Sequence, residues 1–274
     1  MSDIILQANN LVKTYTQRSG KFGFGTTQVN ALNDVSISLR AGSTLAVVGE
    51  SGSGKSTLAR CLLQLQPLDS GEVLFSENLD GKLQDLAKLD GASLRAVRKN
   101  LQMVFQDPFA SLNPRMRVGE IVGEGLVIHG LGSAAEQQQK VIAMLKRVGL
   151  TEADMQKYPH EFSGGQRQRI GIARALVLQP KVVVCDEPVS ALDVSIQAQI
   201  LLLLKDLQAE MALSYLFISH DLRVVRHIAD DIVVMHQGKI VEQGKVVDIY
   251  QQPQHAYTQK LLAAIPGKAH QKAA

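Results

Sequence analysis

A glycine-rich segment with a single lysine is the first feature of this chain that could carry chemistry. Residues 49–56 read GESGSGKS, which fits the pattern G-x-x-x-x-G-K-[ST] of a loop that cradles nucleotide phosphates. Glycines in such a loop let backbone N–H groups approach the phosphates, and the helix that follows adds the positive end of its dipole. Lys55 is then expected to reach the β- and γ-phosphates, and Ser56 to coordinate Mg²⁺. The alternative, a glycine-rich turn with an incidental lysine, is disfavoured by the strand and helix patterns on either side.

Two adjacent carboxylates are the second candidate for chemistry. Asp186 and Glu187 directly follow Val182–Cys185, an apolar run that predicts a buried strand. Asp186 could be oriented on Mg²⁺, mostly through water, and Glu187 could act as a general base or orient an attacking water. Two acids after a strand are by themselves more typical of a cap or a surface pair. In a chain that carries a phosphate loop, they indicate nucleotide hydrolysis.

A second glycine-rich segment, Ser163-Gly164-Gly165-Gln166, follows the first by about 100 residues and begins a helical pattern. A serine hydroxyl and glycine N–H groups at a helix start are donors suited to an anion. His220 follows the predicted strand Tyr215–Ser219, although a lone histidine is usually a structural or surface residue. The second glycine-rich segment and His220 therefore add hydrogen-bond donors that could bind a phosphate group.

The elements expected to position these residues alternate between strands and helices. Thr44–Val48 predicts a buried strand before the phosphate loop, and a helix with apolar residues at helical spacing is predicted from Ser56. Residues 106–180 are predominantly helical in pattern, with Ala135–Val148 the clearest helix. The remaining predictions are strands at Val35–Leu39, Glu72–Phe75 and Leu101–Phe105, a hairpin at Ile232–Gly244 around Gln237-Gly238, and an amphipathic helix at Gln254–Ile265.

Composition limits the function classes. A length of 274 residues allows one large domain or two small ones, and a net charge of +3 with scattered basic residues does not indicate nucleic-acid binding. Cys61 and Cys185, the only cysteines, have no metal spacing and are expected to be core residues in a reducing compartment. The longest apolar run, Ile200–Leu204, is far shorter than the ~20 residues that span a membrane, and the first residues do not read as a signal peptide.

The two glycine-rich segments in this order resemble the ATP-binding cassette (ABC) family, the ATPase subunits of membrane transporters. The resemblance covers about residues 4–265, expected to be one nucleotide-binding domain, and leaves 266–274 as an expected flexible tail. It implies an α/β fold of the ABC ATPase type, with a P-loop NTPase (RecA-like) core, an antiparallel β subdomain and an inserted helical subdomain at about 107–180.

The resemblance also implies a role for each motif residue, with ATP and Mg²⁺ as cofactors. Catalysis is implied for Lys55, Gln106, Glu187 and His220, where Gln106 would also signal to a membrane partner and His220 would contact the γ-phosphate. Mg²⁺ coordination is implied for Ser56, Gln106 and Asp186. The residues implied in ATP binding are Tyr15 (expected at the end of an early strand and stacking on adenine, unless it simply packs), Gly49, Glu50, Ser51, Gly52, Ser53, Gly54, Lys55, Ser56, Thr57, the signature Ser163, Gly164, Gly165 and Gln166, and Asp193.

Further motifs resemble the peptide and nickel importer branch of the family: residues 105–115 (FQDPFASLNPR), 186–195 (DEPVSALDVS), 158–160 (YPH) and 255–258 (HAYT). The chain stops where many peptide-importer ATPases continue into a longer cysteine-bearing tail. Residues 16–28 are expected to form a flexible excursion over the adenine edge.

The branch resemblance implies ATP hydrolysis in a head-to-tail dimer, homo- or heterodimeric, that drives import. Peptide is the favoured cargo, with nickel or a metal chelate as the alternative, and a non-transport ABC ATPase or a catalytically inactive regulator is less favoured. The implied partners are integral-membrane permease subunits, a second ATPase chain and, indirectly, an extracytoplasmic substrate-binding protein, with no nucleic acid. The implied location is the cytoplasmic face of the bacterial inner membrane.

Overall fold

The computed structural model describes residues 3–19, 25–79 and 82–265. The chain divides into two compact units, one formed by the residues before 90 together with those after 216, and one formed by residues 90–216. The strands are β1 (Ile4–Ser19), β2 (Gly25–Arg40), β3 (Thr44–Val48), β4 (Ser70–Phe75), β5 (Gln84–Asp85), β6 (Leu101–Val104), β7 (Val182–Asp186), β8 (Ser214–Ser219), β9 (Asp231–His236) and β10 (Lys239–Lys245).

The α-helices and three short 3-10 helices account for most of the other described residues. The α-helices are α1 (Lys55–Leu62), α2 (Gly91–Arg98), α3 (Val118–Ile128), α4 (Ala134–Arg147), α5 (Gly164–Leu176), α6 (Val194–Met211), α7 (Leu222–Ile228), α8 (Val246–Gln251) and α9 (Ala256–Ala263), and the 3-10 helices are Leu86–Lys88, Glu152–Gln156 and Pro159–Glu161.

An antiparallel sheet in the order β2-β1-β4-β5 occupies part of the first unit. β1 and β2 stay paired from Thr16 opposite Gln28 out to Ser19 opposite Gly25. The expected flexible excursion at 16–28 is therefore wrong over its ends, because the two strands continue as a ladder; residues 20–24 lie outside the described part of the chain.

The first unit also contains the strands that lead to the phosphate loop, in the order β10-β9-β3-β8. β3 runs parallel to β9, with Val48 opposite Val234, and every residue of β3 is buried. Continuous apolar runs suit such strands because helices cover both faces of a parallel sheet. The predicted hairpin is confirmed: Gln237 and Gly238 connect β9 to β10, both at positive φ (48° and 76°), as a tight two-residue turn requires.

The second unit combines the strands β8-β7-β6 with a group of helices, and β8 belongs to both units because the boundary falls within it. β6 and β7 are parallel, with Leu101 opposite Val182. α3 packs against α4 and α5. The predicted helix at 135–148 is α4, which begins with a capping box between Ser133 and Glu136. The expected boundaries of the helical subdomain, about 107–180, remain a prediction.

Several elements went unpredicted from sequence, among them α2, α6, α7 and α8. The run Ile200–Leu204 lies within α6, and no helix in the described parts of the chain is long and apolar enough to cross a membrane. Both cysteines are buried, as predicted, and burial raises the pKa of the Cys61 thiol to about 11. The expected tail at 266–274 lies outside the described residues.

Candidate functional site: the phosphate loop and the motif residues

The phosphate loop connects the end of β3 at Val48 to the start of α1 at Lys55. Gly49, Gly52 and Gly54 all have positive φ (154°, 81° and 106°). A Cβ on Gly49 would lie 2.2 Å from the Met235 carbonyl oxygen, and a Cβ on Gly54 would lie 2.2 Å from the Ala31 carbonyl oxygen. Glycine is therefore required at both positions, since two other strands pack their backbones against the loop.

Replacing Gly54 by alanine is expected to lower ATP turnover by at least about tenfold, because the loop must move away from Ala31 and small displacements of reacting groups are costly. Gly42→Ala is the matched control, since Gly42 also has positive φ (69°) but an added Cβ would have nothing within 4 Å. The control carries only the backbone strain of about 1–2 kcal/mol. Turnover is measured together with the melting temperature of each variant, so that displacement of the loop can be distinguished from unfolding. Equal turnover in the two variants would contradict the requirement for glycine at position 54.

Lys55 is the first residue of α1, directly after the loop, and is only 5% exposed. Its ammonium group donates hydrogen bonds to the carbonyl oxygens of Gly49 and Glu50, both at 2.9 Å. The neighbouring Ser53 hydroxyl is buried and has no hydrogen-bond partner among the described residues. A buried hydroxyl without a partner is unfavourable, so a phosphate oxygen in this cradle would satisfy it.

Two residues distant in sequence hold the loop from outside. The N–H of Gly238, in the β9–β10 turn, donates to the Ser53 carbonyl oxygen at 3.0 Å. The Tyr257 hydroxyl on α9 accepts a hydrogen bond from the Glu50 N–H at 3.0 Å. Neither residue belongs to the site predicted from sequence, because no local pattern indicates which distant residue contacts a loop.

His220 and Tyr15 also belong to the first unit. His220 is exposed at the end of β8, where the next residue, Asp221, caps α7 and pairs with Arg223. The Arg223 guanidinium lowers the pKa of the Asp221 carboxyl. Tyr15 is half-buried and lies within β1, opposite Val29, so its expected position at the end of a strand is wrong. The strand continues to Ser19 because its partner β2 extends equally far.

The predicted acidic pair stands at the end of β7 in the second unit. Asp186 is buried, whereas Glu187 is half-buried and has a positive φ of 46°. Positive φ is uncommon for a residue other than glycine and is found at sites where the surroundings impose it. The Gln106 amide nitrogen donates to the Glu187 carboxylate at 3.3 Å, so these two predicted residues meet.

The segment around Gln106, residues 105–111, is held against α5 by two arginines. The Arg167 guanidinium lies 4.1 Å from the centre of the Phe109 ring, and that of Arg174 lies 5.5 Å from the centre of the Phe105 ring. Arg174 also donates to the Ser111 carbonyl oxygen. The segment and the helix that begins at the signature are thus joined by cation–π contacts, which sequence analysis did not predict.

The signature residues are exposed or half-buried at the start of α5. Ser163 and Gln166 form a capping box, in which the Ser163 hydroxyl oxygen accepts the Gln166 N–H and the Gln166 side chain accepts the Ser163 N–H. The Ser163 hydroxyl keeps its own proton to donate. A Cβ on Gly165 would lie 2.6 Å from the Ile196 side chain, so α6 packs closely against the signature. Asp193 caps α6 by accepting the Ile196 N–H.

The oxygen donors among the motif residues suit Mg²⁺. The described residues contain no cluster of three or more His, Cys, Asp or Glu side chains that could hold a metal ion. Mg²⁺ in nucleotide sites needs no such cluster, because one or two carboxylates act together with substrate phosphates and water. The Ser56 hydroxyl in the first unit, and the buried Asp186 carboxylate and the Gln106 amide oxygen in the second unit, are each oxygen donors of the kind that Mg²⁺ prefers.

Comparison with known proteins finds relatives over nearly the whole chain. A sequence profile described as "ABC transporter" matches residues 32–190. The oligopeptide transport ATP-binding protein AppF of Bacillus subtilis is 50% identical over 96% of this chain and 79% of its own. The glutathione import ATP-binding protein GsiA of Pectobacterium atrosepticum is 50% identical over 96% of this chain, which spans only 41% of that relative.

A solved structure extends the similarity to the fold. The dimeric structure of a post-hydrolysis state of the ATP-binding cassette MJ0796, bound to ADP and Pi, matches with a TM-score of 0.75 and 29% sequence identity. The match covers 88% of this chain and 99% of the other.

Proposed function

Because this chain belongs to the ABC transporter family, we propose that it is the ATP-hydrolysing subunit of a transporter that imports peptides. The observation that carries the proposal is the phosphate loop, where two constrained glycines, a buried lysine and a Ser53 hydroxyl without a partner in the described parts of the chain form a cradle for phosphate. The similarity to a peptide-transport ATP-binding protein over 79% of that relative's length supports the cargo class.

In the proposed reaction, the loop N–H groups and Lys55 bind the phosphates of ATP. Lys55 would exchange its two loop carbonyl acceptors for phosphate oxygens, and Ser53 would gain a partner. Ser56, Asp186 and Gln106 would hold Mg²⁺, which neutralises phosphate charge when bound. Tyr15 would stack on the adenine.

Hydrolysis requires a group that takes the proton of the attacking water. Glu187 is assigned this role: the water oxygen bonds to the γ-phosphorus, the bond from that phosphorus to the bridging oxygen breaks, and the water proton passes to the Glu187 carboxylate. The hydrogen bond from Gln106 orients that carboxylate. His220 would contact the γ-phosphate and hold the water. The products are ADP and inorganic phosphate.

The exposed signature supports a second ATPase chain as a partner. Ser163, Gly164 and Gly165 present donors at a helix start, and in a head-to-tail dimer they would bind the γ-phosphate of ATP held by the other chain, with Asp193 crossing to that chain. Permease subunits of the inner membrane, contacted from the cytoplasmic face, and an extracytoplasmic substrate-binding protein complete the proposed transporter. Residues 107–180 are proposed as its helical subdomain.

The cargo is tested by uptake of a labelled oligopeptide and of labelled nickel in cells with and without the gene. We expect loss of peptide uptake with nickel uptake unchanged, restored by the wild-type gene but not by a Glu187→Gln gene. Loss of nickel uptake alone would move the protein to metal import. No change in either would contradict the importer assignment.

A further inference from the structure

The C-terminal helix α9 reaches the phosphate loop through one hydroxyl group. The Tyr257 side chain is 9% exposed, and its hydroxyl oxygen lies 3.0 Å from the Glu50 backbone nitrogen, which donates to it. Burial raises the pKa of Tyr257, so the phenol is neutral at physiological pH and keeps the geometry of a hydroxyl acceptor. This bond is a tertiary contact between residues 207 positions apart in the chain.

The Glu50 N–H belongs to the same peptide group as the Gly49 carbonyl, and Lys55 holds that carbonyl at 2.9 Å. Both polar groups of the Gly49–Glu50 peptide are therefore hydrogen-bonded: its carbonyl oxygen to Lys55 and its N–H to Tyr257. The Glu50 carbonyl oxygen in turn accepts from Lys55 and from the Ser53 N–H. Rotation of the Gly49–Glu50 peptide would therefore remove an acceptor of Lys55 and alter the whole cradle.

Tyr257 is itself firmly positioned. Its ring packs against the His236 ring with centroids 4.0 Å apart, and it belongs to a buried cluster that includes Val48 and Val234. The start of α9 is pinned because the Glu242 carboxylate accepts the N–H groups of residues 254 and 255. His255 then caps the helix by accepting the Tyr257 N–H. A side chain locked by packing and by capped backbone can hold a loop in one conformation.

We propose that Tyr257 is a positioning residue for ATP binding: its hydroxyl keeps the Gly49–Glu50 peptide in the orientation that lets the phosphate loop accept nucleotide. The inference rests on the proposed ATPase function and deepens it. Apparent affinity falls in proportion to the fraction of molecules whose loop is competent to bind. The hydroxyl is not placed at a reacting atom. Its loss is therefore expected to lower the fraction of molecules that can bind ATP and to leave the rate of the chemical step unchanged.

The test is Tyr257→Phe, which removes the hydroxyl and keeps the ring. We expect the KM for ATP to rise roughly three- to tenfold, as the loss of one buried hydrogen bond predicts, with kcat within about twofold of wild type. Tyr215→Phe is the matched control, because the Tyr215 hydroxyl is also buried and donates to a backbone carbonyl, that of Leu204, away from the loop. Equal KM values in the two variants would overturn the proposal.

Amide hydrogen exchange provides a second readout that needs neither nucleotide nor activity. In the nucleotide-free wild type, the Glu50 amide should be protected, and in Tyr257→Phe it should exchange at least about threefold faster while melting temperatures match those of the control. Fast exchange of Glu50 in the wild type would overturn the proposal even if the variant failed to fold. If the wild type neither binds nor hydrolyses ATP, the proposed function fails, whereas the exchange result still decides whether Tyr257 holds the loop.

Discussion

Lys55→Met is expected to lower ATP turnover by about 100-fold or more. The Lys55 ammonium group donates hydrogen bonds to two loop carbonyl oxygens, and with ATP bound it would donate to phosphate oxygens instead. Hydrogen bonds to a charged group contribute about 1.5–3 kcal/mol each, so the loss of two accounts for an effect of that size. Methionine keeps most of the side-chain volume and removes the ammonium group. Turnover and ATP affinity are measured together, and both should fall.

The matched control for this prediction is Lys157→Met. Lys157 also carries a charge paired with a carboxylate, that of Asp154 at 2.7 Å, but it is 47% exposed and outside the motifs. The buried Asp154 carboxylate keeps the Thr151 N–H and hydroxyl as donors when the half-exposed ammonium group is removed, so turnover should stay near that of the wild type. Retention of full turnover in Lys55→Met would contradict the phosphate-binding role of the lysine.

Glu187→Gln is expected to lower kcat by about 100-fold or more and to leave ATP binding intact. A general base contributes about 10²- to 10⁴-fold to a reaction, and an amide at this position cannot take a proton from water. Glutamine keeps an oxygen that can accept from Gln106, so the 3.3 Å contact between these side chains can persist. Because bound ATP is not consumed, the variant should accumulate as an ATP-bound dimer, measurable by size-exclusion chromatography.

Glu210→Gln is the matched control, since it removes one carboxylate charge from the same unit, where Glu210 pairs with Arg147 on an exposed surface. Its kcat should remain within about twofold of the wild-type value because exposed ion pairs contribute little. Turnover at the wild-type rate in Glu187→Gln would remove Glu187 from the catalytic role, and loss of ATP binding would show that the residue supports the site by another route.

The elements predicted well from sequence are those with strong local signals. β3, β7 and the β9–β10 hairpin follow from continuous apolar runs and from a Gln-Gly turn, since each is dictated by residues next to one another in the chain. Helix α4 was also predicted to within one residue at each end, and a capping box stands at its start.

The elements that were not predicted from sequence were missed for physical reasons. The seven-residue α7 and the six-residue α8 are too short for a periodic pattern to stand out, and they are held by packing in the tertiary structure. The ladder beyond Tyr15 was missed because a strand rich in polar residues shows no alternation, and only its partner strand extends it. A local sequence pattern indicates the secondary structure that a segment itself prefers, and it does not indicate the structure that packing against distant segments imposes.

The sequence by itself determined the family, the phosphate loop and the residue types that phosphate chemistry requires, because those depend on spacing within short segments. Tertiary structure alone decided why Gly49 and Gly54 must be glycine, since the constraint comes from the carbonyl groups of Met235 and Ala31. It also decided that Tyr257 meets the Glu50 N–H. Such contacts arise when distant strands and helices pack together, and no local rule of residue spacing encodes them.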